Sequence, residues 1–161
     1  MLRPACILRV CRPVRPGAGT DGSSGRRIAK EQATDFFELV KTGTPQSVQA
    51  AISKGADVNA RDEEGTTPLM HAARGNQNPE VITTLLNAGA NIKAEDRYNN
   101  MIPLMYAAWF NKNPEVITTL LNAGADARAQ SSAGKTAFDF AQYNLKLIGT
   151  DAYRELEEAS K

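Results

Sequence analysis

One stretch of the chain occurs twice, and this repetition limits the possible folds more than any other feature. Residues 78–90, Asn-Pro-Glu-Val-Ile-Thr-Thr-Leu-Leu-Asn-Ala-Gly-Ala, recur without change at 113–125. The preceding Pro-Leu-Met segment also recurs, and Pro68 is matched by Pro103 after a period of 35 residues. Self-similarity with a period of about 20 to 50 residues is typical of a chain that stacks one supersecondary unit on the next.

The residues within one unit predict two helices and a turn. Thr67 and Asn78 are residues that cap helices, and each is followed by a proline, whose missing N–H costs nothing in a first turn. The apolar residues of 81–86 fall on one face of the second helix. Gly89 follows them, where a left-handed residue can end a helix. The polar run 91–100 is too hydrophilic for burial, so it predicts a projecting turn.

These segments resemble the ankyrin repeat, whose signature is Thr-Pro-Leu-His-x-Ala. The resemblance rests on Thr-Pro-Leu at 67–69, Gly-Ala-Asn at 89–91 and the similar run at 55–60. It implies a mainly α solenoid of about four helix-loop-helix-turn units with atypical terminal caps. Met70 and Met105 stand where the family usually has histidine, so we expect a hydrogen bond near the turn to be lost.

The resemblance divides the chain into an extension, residues 1–27, and an ankyrin-repeat domain, residues 28–161. The predicted units are about 30–62, 63–96, 97–131 and 132–161. The terminal units are expected to be atypical, because one face of each meets water.

The two terminal units carry their own helix signals. In the first unit, Thr34 or Asp35 can cap one helix, and Thr44 can cap the next. In the last unit, Thr136 and Thr150 occupy the same positions. Three apolar residues are expected to fill the loop between the last two helices. They are Leu145, Leu147 and Ile148.

The extension differs from the domain in charge. It holds six arginines and one aspartate, a net charge of +5, so the rest of the chain carries −4 to give the total of +1. Its prolines and the Gly/Ser-rich run 17–25 predict a disordered extension, and an organelle-targeting peptide is the alternative. Because the only cysteines, Cys6 and Cys11, lie here, no disulfide framework holds the repeats and a cytoplasmic location is expected.

The same composition bounds the partners. An acidic domain offers no electrostatic footprint for nucleic acid. No apolar run approaches about 18 residues, so no membrane span is predicted. We expect a monomer that binds a protein.

No catalytic, cofactor or metal site is predicted. The single histidine, His71, has no cysteine in the repeats and no serine in a nucleophile motif beside it. A lone histidine is more often a contact residue than a ligand, because a zinc site needs three or four ligands. The acids at 62–64 form a solvated cluster by default, since the spacing of a calcium loop is missing.

The resemblance instead implies a binding surface. In this family the first helices and the turn tips form a concave face that contacts partner proteins, and aromatic residues and arginine dominate interface energies. The candidate residues are Asp62, Glu63, Glu64, His71, Arg74, Arg97, Tyr98, Tyr106, Trp109, Phe110 and Tyr143. The predicted function is a non-catalytic protein-interaction module. The alternative is an accessory or inhibitory subunit, or an effector, that regulates a partner enzyme.

Trp109 is the residue on which this surface depends. It occupies the position of Arg74 in the preceding unit, and a position that accepts arginine is not expected to be a core position. An exposed Trp109 predicts that Trp109→Ala changes stability by less than about 1 kcal/mol. The alternative is that the ring packs between neighbouring units. For Phe140 and Tyr143, packing between units and contact with a partner are both open.

Overall fold

The computed structural model describes residues 35–161, which form eight helices in four pairs with no strand in that range. The helices are α1 (residues 35–42), α2 (Pro45–Ser53), α3 (Pro68–Gly75), α4 (Pro79–Asn87), α5 (Pro103–Phe110), α6 (Pro114–Asn122), α7 (Ala137–Ala141) and α8 (Asp151–Ala159). The predicted disordered extension, 1–27, and the possible cap Thr34 lie outside the described residues. None of the helices described is long and apolar enough to cross a membrane.

The helices begin where the cap signals predict. Each predicted cap side chain accepts a hydrogen bond from a backbone N–H of its helix's first turn, which satisfies a donor without an intrahelical partner. These caps are Thr44, Thr67, Asn78, Asn113, Thr136 and Thr150. The exception is α5, whose N-cap is Ile102 and has no side-chain acceptor.

The hydrogen bond expected to be lost with the family histidine is partly replaced. The Met70 Sδ atom accepts the Thr67 N–H at 3.4 Å, while the Thr67 hydroxyl accepts the Met70 N–H at 3.4 Å. A thioether sulfur is a weak acceptor, so this reciprocal pair satisfies both donors at less benefit than an imidazole nitrogen would bring.

Two glycines confirm the predicted register. Gly89 and Gly124 follow α4 and α6 with φ values of +91° and +88°. A Cβ atom added at either position would meet no atom within 4 Å. The requirement for glycine is therefore conformational strain rather than lack of space.

The helices stack in two layers. The first helices of successive units contact one another, α3 with α5 and α5 with α7, and the second helices do the same, α2 with α4 through to α8. Small side chains let the first helices approach closely, since Ala72, Ala73, Ala107 and Ala108 have no exposed surface. The second layer is filled by fully buried Val, Ile and Leu side chains. They are Val81, Ile82, Leu85, Val116, Ile117 and Leu120.

Three buried asparagines, Asn76, Asn111 and Asn144, bind successive units through their side chains, and we call them the asparagine ladder. Each side-chain Nδ2 donates to two backbone carbonyls of the preceding unit at 2.7–3.1 Å. The accepting carbonyls belong to Val40 and Gly43, to Ala73 and Asn76, and to Ala108 and Asn111. The ladder thus satisfies carbonyls at the ends of the first helices.

The loop between α7 and α8 differs from its prediction. Leu147 is fully buried, but Leu145 and Ile148 are 83% and 50% exposed. The expectation that all three fill the loop is wrong for these two residues. Of the three residues, only Leu147 packs into the hydrophobic core of the stack.

Candidate functional site

Aromatic rings gather on the exposed side of the first-helix layer, near the ends of α5 and α7. The Trp109 indole stacks on the Phe110 ring with centroids 4.7 Å apart and on the Phe140 ring at 5.0 Å. Trp109 is 43% exposed and Phe110 39%, whereas Phe140 is buried. Trp109 is therefore both a surface residue and a packing residue between two units, so truncating it should cost more than the sequence predicts.

Cations lie on two of the exposed rings. The Arg74 guanidinium carbon is 4.7 Å from the centroid of the Phe110 ring. The Lys135 ammonium is 5.4 Å from the centroid of the Tyr143 ring, and Tyr143 is largely exposed. Both distances lie within the range of a cation–π attraction.

The rings form one wall of an open groove of about 520 Å³, which we call the aromatic groove. Its other wall consists of the turn tips of the third and fourth units. The lining residues are Asn99, Met101, Trp109, Ser131, Ser132, Ala133, Lys135, Phe140 and Tyr143. Apolar lining with a few polar groups is the composition of a recognition site for side chains of a ligand.

The acid that opens the second unit's turn is held inside the fold. The Asp62 Oδ1 atom accepts the N–H groups of Glu64 and Thr66 at 3.0 and 2.8 Å, and its Oδ2 lies 2.8 Å from His71 Nε2. Burial would raise the pKa of Asp62, but the hydrogen bonds from His71 and Thr66 outweigh it and the pKa is lowered. Burial lowers the pKa of His71 even though Asp62 favours its proton.

The third unit repeats this arrangement with a different partner. Asp96 is only 4% exposed, so the turn is less solvated than its polar sequence predicts. The Tyr106 hydroxyl donates to Asp96 Oδ2 at 2.7 Å, and Asp96 Oδ1 accepts the N–H groups of Tyr98 and Asn99. Burial, followed by this carboxylate, raises the pKa of Tyr106 well above its usual value. The side chains of His71 and Tyr106 thus fasten a turn to a helix.

The turn tips are joined from unit to unit. The Arg97 N–H donates to the Glu64 carbonyl at 3.0 Å, and Arg97 Nη1 donates to the Glu63 carbonyl at 3.3 Å. One unit further on, the Ser132 N–H donates to the Asn99 carbonyl at 2.7 Å. The wall formed by the tips is therefore fixed by backbone contacts and does not depend on a ligand for its position.

The predicted binding residues fall into two groups. Asp62 and Tyr106 have their polar atoms hydrogen-bonded within the fold, and His71 is bonded through Nε2 while its Nδ1 is buried without a hydrogen-bond partner. The predicted residues with exposed side chains are Glu63, Glu64, Arg74, Tyr98, Trp109, Phe110 and Tyr143. Arg97 lies between the groups, since it is exposed but bonded to the neighbouring tip. The binding role of all these residues stays a prediction.

Met101 and Lys135 are among the lining residues that sequence reasoning missed. Each stands immediately before the N-cap of a first helix, in the position that Thr66 has in the second unit. Aligning the caps would have shown that this position changes from unit to unit, but not that it faces the groove.

Within 35–161, no three side chains of the His, Cys, Asp or Glu types gather in a way that could hold a metal ion. His71 is paired with a carboxylate, but neither a serine nor a cysteine side chain is bonded to it in this part of the chain. The aromatic groove is the feature that could hold part of another molecule.

Comparison with known proteins agrees with the stacked helix pairs. The family model described as ankyrin repeats (3 copies) matches residues 36–131. The chain is 39% identical over 66 residues to the mitochondrial disaggregase of Bos taurus, covering 41% of this chain and 10% of that protein. It is 34% identical over 86 residues to Rabankyrin-5 of Mus musculus, covering 53% of this chain and 7% of that protein.

A third relative is the 2-5A-dependent ribonuclease of Mus musculus, 33% identical over 76 residues, 47% of this chain and 10% of that protein. The matched segment spans a tenth or less of each of these three relatives. The family model covers more than half of the present chain. With its stacked helix pairs, capped first helices and left-handed glycines, this chain belongs to the ankyrin-repeat family.

Proposed function

We propose that the chain is a non-catalytic interaction module that binds a partner protein through the aromatic groove. Ankyrin repeats are in general protein–protein interaction modules, which makes a protein the expected class of partner. The fold alone does not determine which surface binds a partner, so the support for the groove comes from its own residues.

The observation that carries the proposal is the exposed ring pair at the end of α5. Trp109 and Phe110 stand where the second unit has Arg74 and Gly75, although the second helices of the two units are identical in sequence. The second unit stacks without any ring at these positions. A unit can therefore stack without rings at these positions. Trp109 also packs on Phe140, but partner binding is a reason for the exposed part of the ring pair.

The residue types fit this use. Tryptophan, tyrosine and arginine are enriched among the residues that carry most of a protein–protein binding energy. Contiguous exposed apolar surface is uncommon on monomers and marks interaction sites. Trp109 and Tyr143 line the same groove, so a partner side chain placed there would contact both rings.

The test uses Tyr143→Ala, because this side chain is 67% exposed and its loss should disturb the fold little. The matched control is Leu145→Ala, which removes a more exposed apolar side chain outside the groove. Partners captured by the full chain should be identified by mass spectrometry, purified and measured by calorimetry.

We expect Tyr143→Ala to weaken binding by about 2 kcal/mol, the size of a hot-spot loss, and Leu145→Ala to change it by less than about 0.5 kcal/mol. The reverse order would place the binding surface at the end of the stack and refute the proposal. Equal, small effects from both variants would refute it as well.

A further inference from the structure

We infer that the aromatic groove binds an extended acidic segment, in which an aliphatic or aromatic side chain is flanked by Asp or Glu residues. This inference rests on the proposed function and names the chemistry of the partner. It depends on how the charges around the groove are already used.

The cations at the groove are not neutralised by carboxylates. Among residues 35–161 neither Arg74 nor Lys135 forms an ion pair within 4.0 Å. Arg74 lies over the Phe110 ring and Lys135 over the Tyr143 ring. A cation on a ring keeps its charge available, because the ring quadrupole attracts it without cancelling it.

Two carboxylates of the third and fourth units, Asp96 and Asp139, accept hydrogen bonds within the fold. Asp96 accepts a hydrogen bond from the Tyr106 hydroxyl and two from backbone N–H groups. Asp139 accepts the N–H and hydroxyl of Thr136 at 2.8 and 2.9 Å. These hydrogen bonds lower the pKa of Asp139, and the charge of Lys135 adds a smaller lowering, so Asp139 offsets part of the Lys135 charge without forming an ion pair with it. The groove therefore presents one cation, Lys135, beside its aromatic lining, and a second cation, Arg74, lies on the Phe110 ring that stacks on Trp109. An acidic segment is the electrostatic complement of these two charges.

The aromatic rings of the groove favour a ligand that also carries an apolar side chain. Trp109, Phe140 and Tyr143 line the floor and one wall, and only one lining residue, Lys135, is charged. A ligand made only of acids would leave these rings exposed to water. An apolar anchor would bury them. We expect carboxylates next to the anchor to meet Lys135 in the groove and Arg74, which lies outside the lining on the Phe110 ring.

A single-stranded nucleic acid is the other class of ligand that rings and cations can bind. The overall charge disfavours it. Residues 35–161 hold twelve Lys and Arg residues against sixteen Asp and Glu residues, a net charge of −4. A polyphosphate chain would run past this acidic surface, whereas a short peptide senses mainly the local cations, because salt screens charges beyond about 8 Å.

The experiment selects ligands from a phage-displayed library of random dodecapeptides on the immobilised full chain. Enriched peptides are then labelled with fluorescein, and their affinities are measured by fluorescence polarisation at low and high salt. The variants are Lys135→Glu, Arg74→Glu and Tyr143→Ala, with Leu145→Ala as the matched control. All variants keep the arginine-rich extension, so peptides that bind the extension show themselves by equal affinity for every variant.

We expect enriched peptides with Asp or Glu on either side of an apolar anchor. Lys135→Glu and Arg74→Glu should each weaken their binding at least about five-fold, consistent with loss of a partly exposed ion pair. Leu145→Ala should change it less than two-fold. Selection on Lys135→Glu should replace acids next to the anchor with Lys or Arg.

Each other outcome removes a defined part of the inference. Peptides that Tyr143→Ala weakens but that neither charge reversal affects would overturn the acidic class and leave the groove as the binding site. Peptides insensitive to Tyr143→Ala, or no enrichment at all, would remove both this inference and the proposed function of the groove. Binding of a twenty-nucleotide oligo-dT that Tyr143→Ala and Lys135→Glu both weaken would assign the groove to nucleic acid instead.

Discussion

Removing the middle residue of the asparagine ladder, Asn111, should weaken the contact between the second and third units. Its side chain is buried and makes three hydrogen bonds to the backbone. Nδ2 donates to the Ala73 and Asn76 carbonyls at 2.7 and 2.8 Å, and Oδ1 accepts the Asn113 N–H at 2.9 Å. Asn111→Ala deletes all three bonds and leaves the carbonyls without this donor.

The magnitude follows from the number of bonds. A buried hydrogen bond contributes about 1 kcal/mol net, so three bonds give about 3 kcal/mol. This is a large part of the roughly 5 to 15 kcal/mol by which folded domains are stable. For a chain of this size it corresponds to a fall in the melting midpoint of roughly 10 °C. Because units are stabilised by their neighbours, the loss should be felt by the whole stack.

The assay is urea unfolding followed by circular dichroism, with Asn122→Ala as the control. Asn122 is an exposed asparagine at the end of α6, so its replacement should change the free energy of unfolding by less than about 0.5 kcal/mol. A loss for Asn111→Ala as small as that of the control would refute the ladder as a stabilising element.

Asn111→Asp separates loss of the donor from loss of the side chain. The carboxylate would face two carbonyl oxygens, so at neutral pH this variant should be less stable than Asn111→Ala. Facing acceptors raises the carboxyl pKa in the folded state. Its penalty is therefore present above the folded-state pKa and is lost as the pH falls through it. Relative to wild type at each pH, Asn111→Asp should recover stability on acidification, and a constant difference would contradict this geometry.

Three further predictions concern single side chains. Gly124→Ala should lower the free energy of unfolding by about 1 kcal/mol because of its positive φ alone. Gly65→Ala should lower it more, because a Cβ there would also lie 3.0 Å from the Arg97 N and Cβ atoms. Equal unfolding midpoints for the two variants would contradict this close contact. Burial lowers the pKa of His71, so the neutral ring is favoured in the folded state, and stability should fall as the pH drops through and below 6.5. Urea titrations should show a smaller fall for His71→Gln, and an unchanged fall would assign the pH dependence to other groups. Trp109→Ala should lower the free energy of unfolding by about 2 kcal/mol, since roughly 100 Å² of stacked ring surface is lost. Trp109→Phe should retain most of the wild-type stability. A loss under about 0.5 kcal/mol for Trp109→Ala would show that the stacked rings do not stabilise one another.

Features with a local chemical cause could be predicted from the sequence. The helix starts at Thr67 and Asn78 depend on a side-chain oxygen and a proline that stand next to each other in the chain. The stops at Gly89 and Gly124 depend on one residue's freedom to take a positive φ. Such signals act within one turn of helix, and identical segments in two units made them visible.

Features that depend on a neighbouring unit could not be predicted in the same way. Asn76 and Asn111 recur at the period of the repeat, but Asn144 follows after 33 residues instead of 35 and carries no signal of its own. Leu145 and Ile148 have the composition of a core segment, but the packing of neighbouring helices, which the sequence does not show, buries Leu147 and leaves these two side chains exposed. The burial of Asp96 likewise depends on Tyr106, a partner ten residues away.

Within a unit, the residues that hold the stack together differ from those that form the exposed rings, and this separation allows the third unit to carry rings that the second unit lacks. The asparagine ladder and the second helices hold the units together, and they are nearly the same in the second and third units. In the last turn of the first helix the ladder uses backbone carbonyls, those of Ala73 and Ala108, and not the last two side chains. Arg74 and Gly75 in one unit can therefore become Trp109 and Phe110 in the next without loss of the ladder bonds. Because the fastened turns face this position, a change there alters the aromatic groove directly. A surface that varies on a constant scaffold is what a chain needs in order to select one partner.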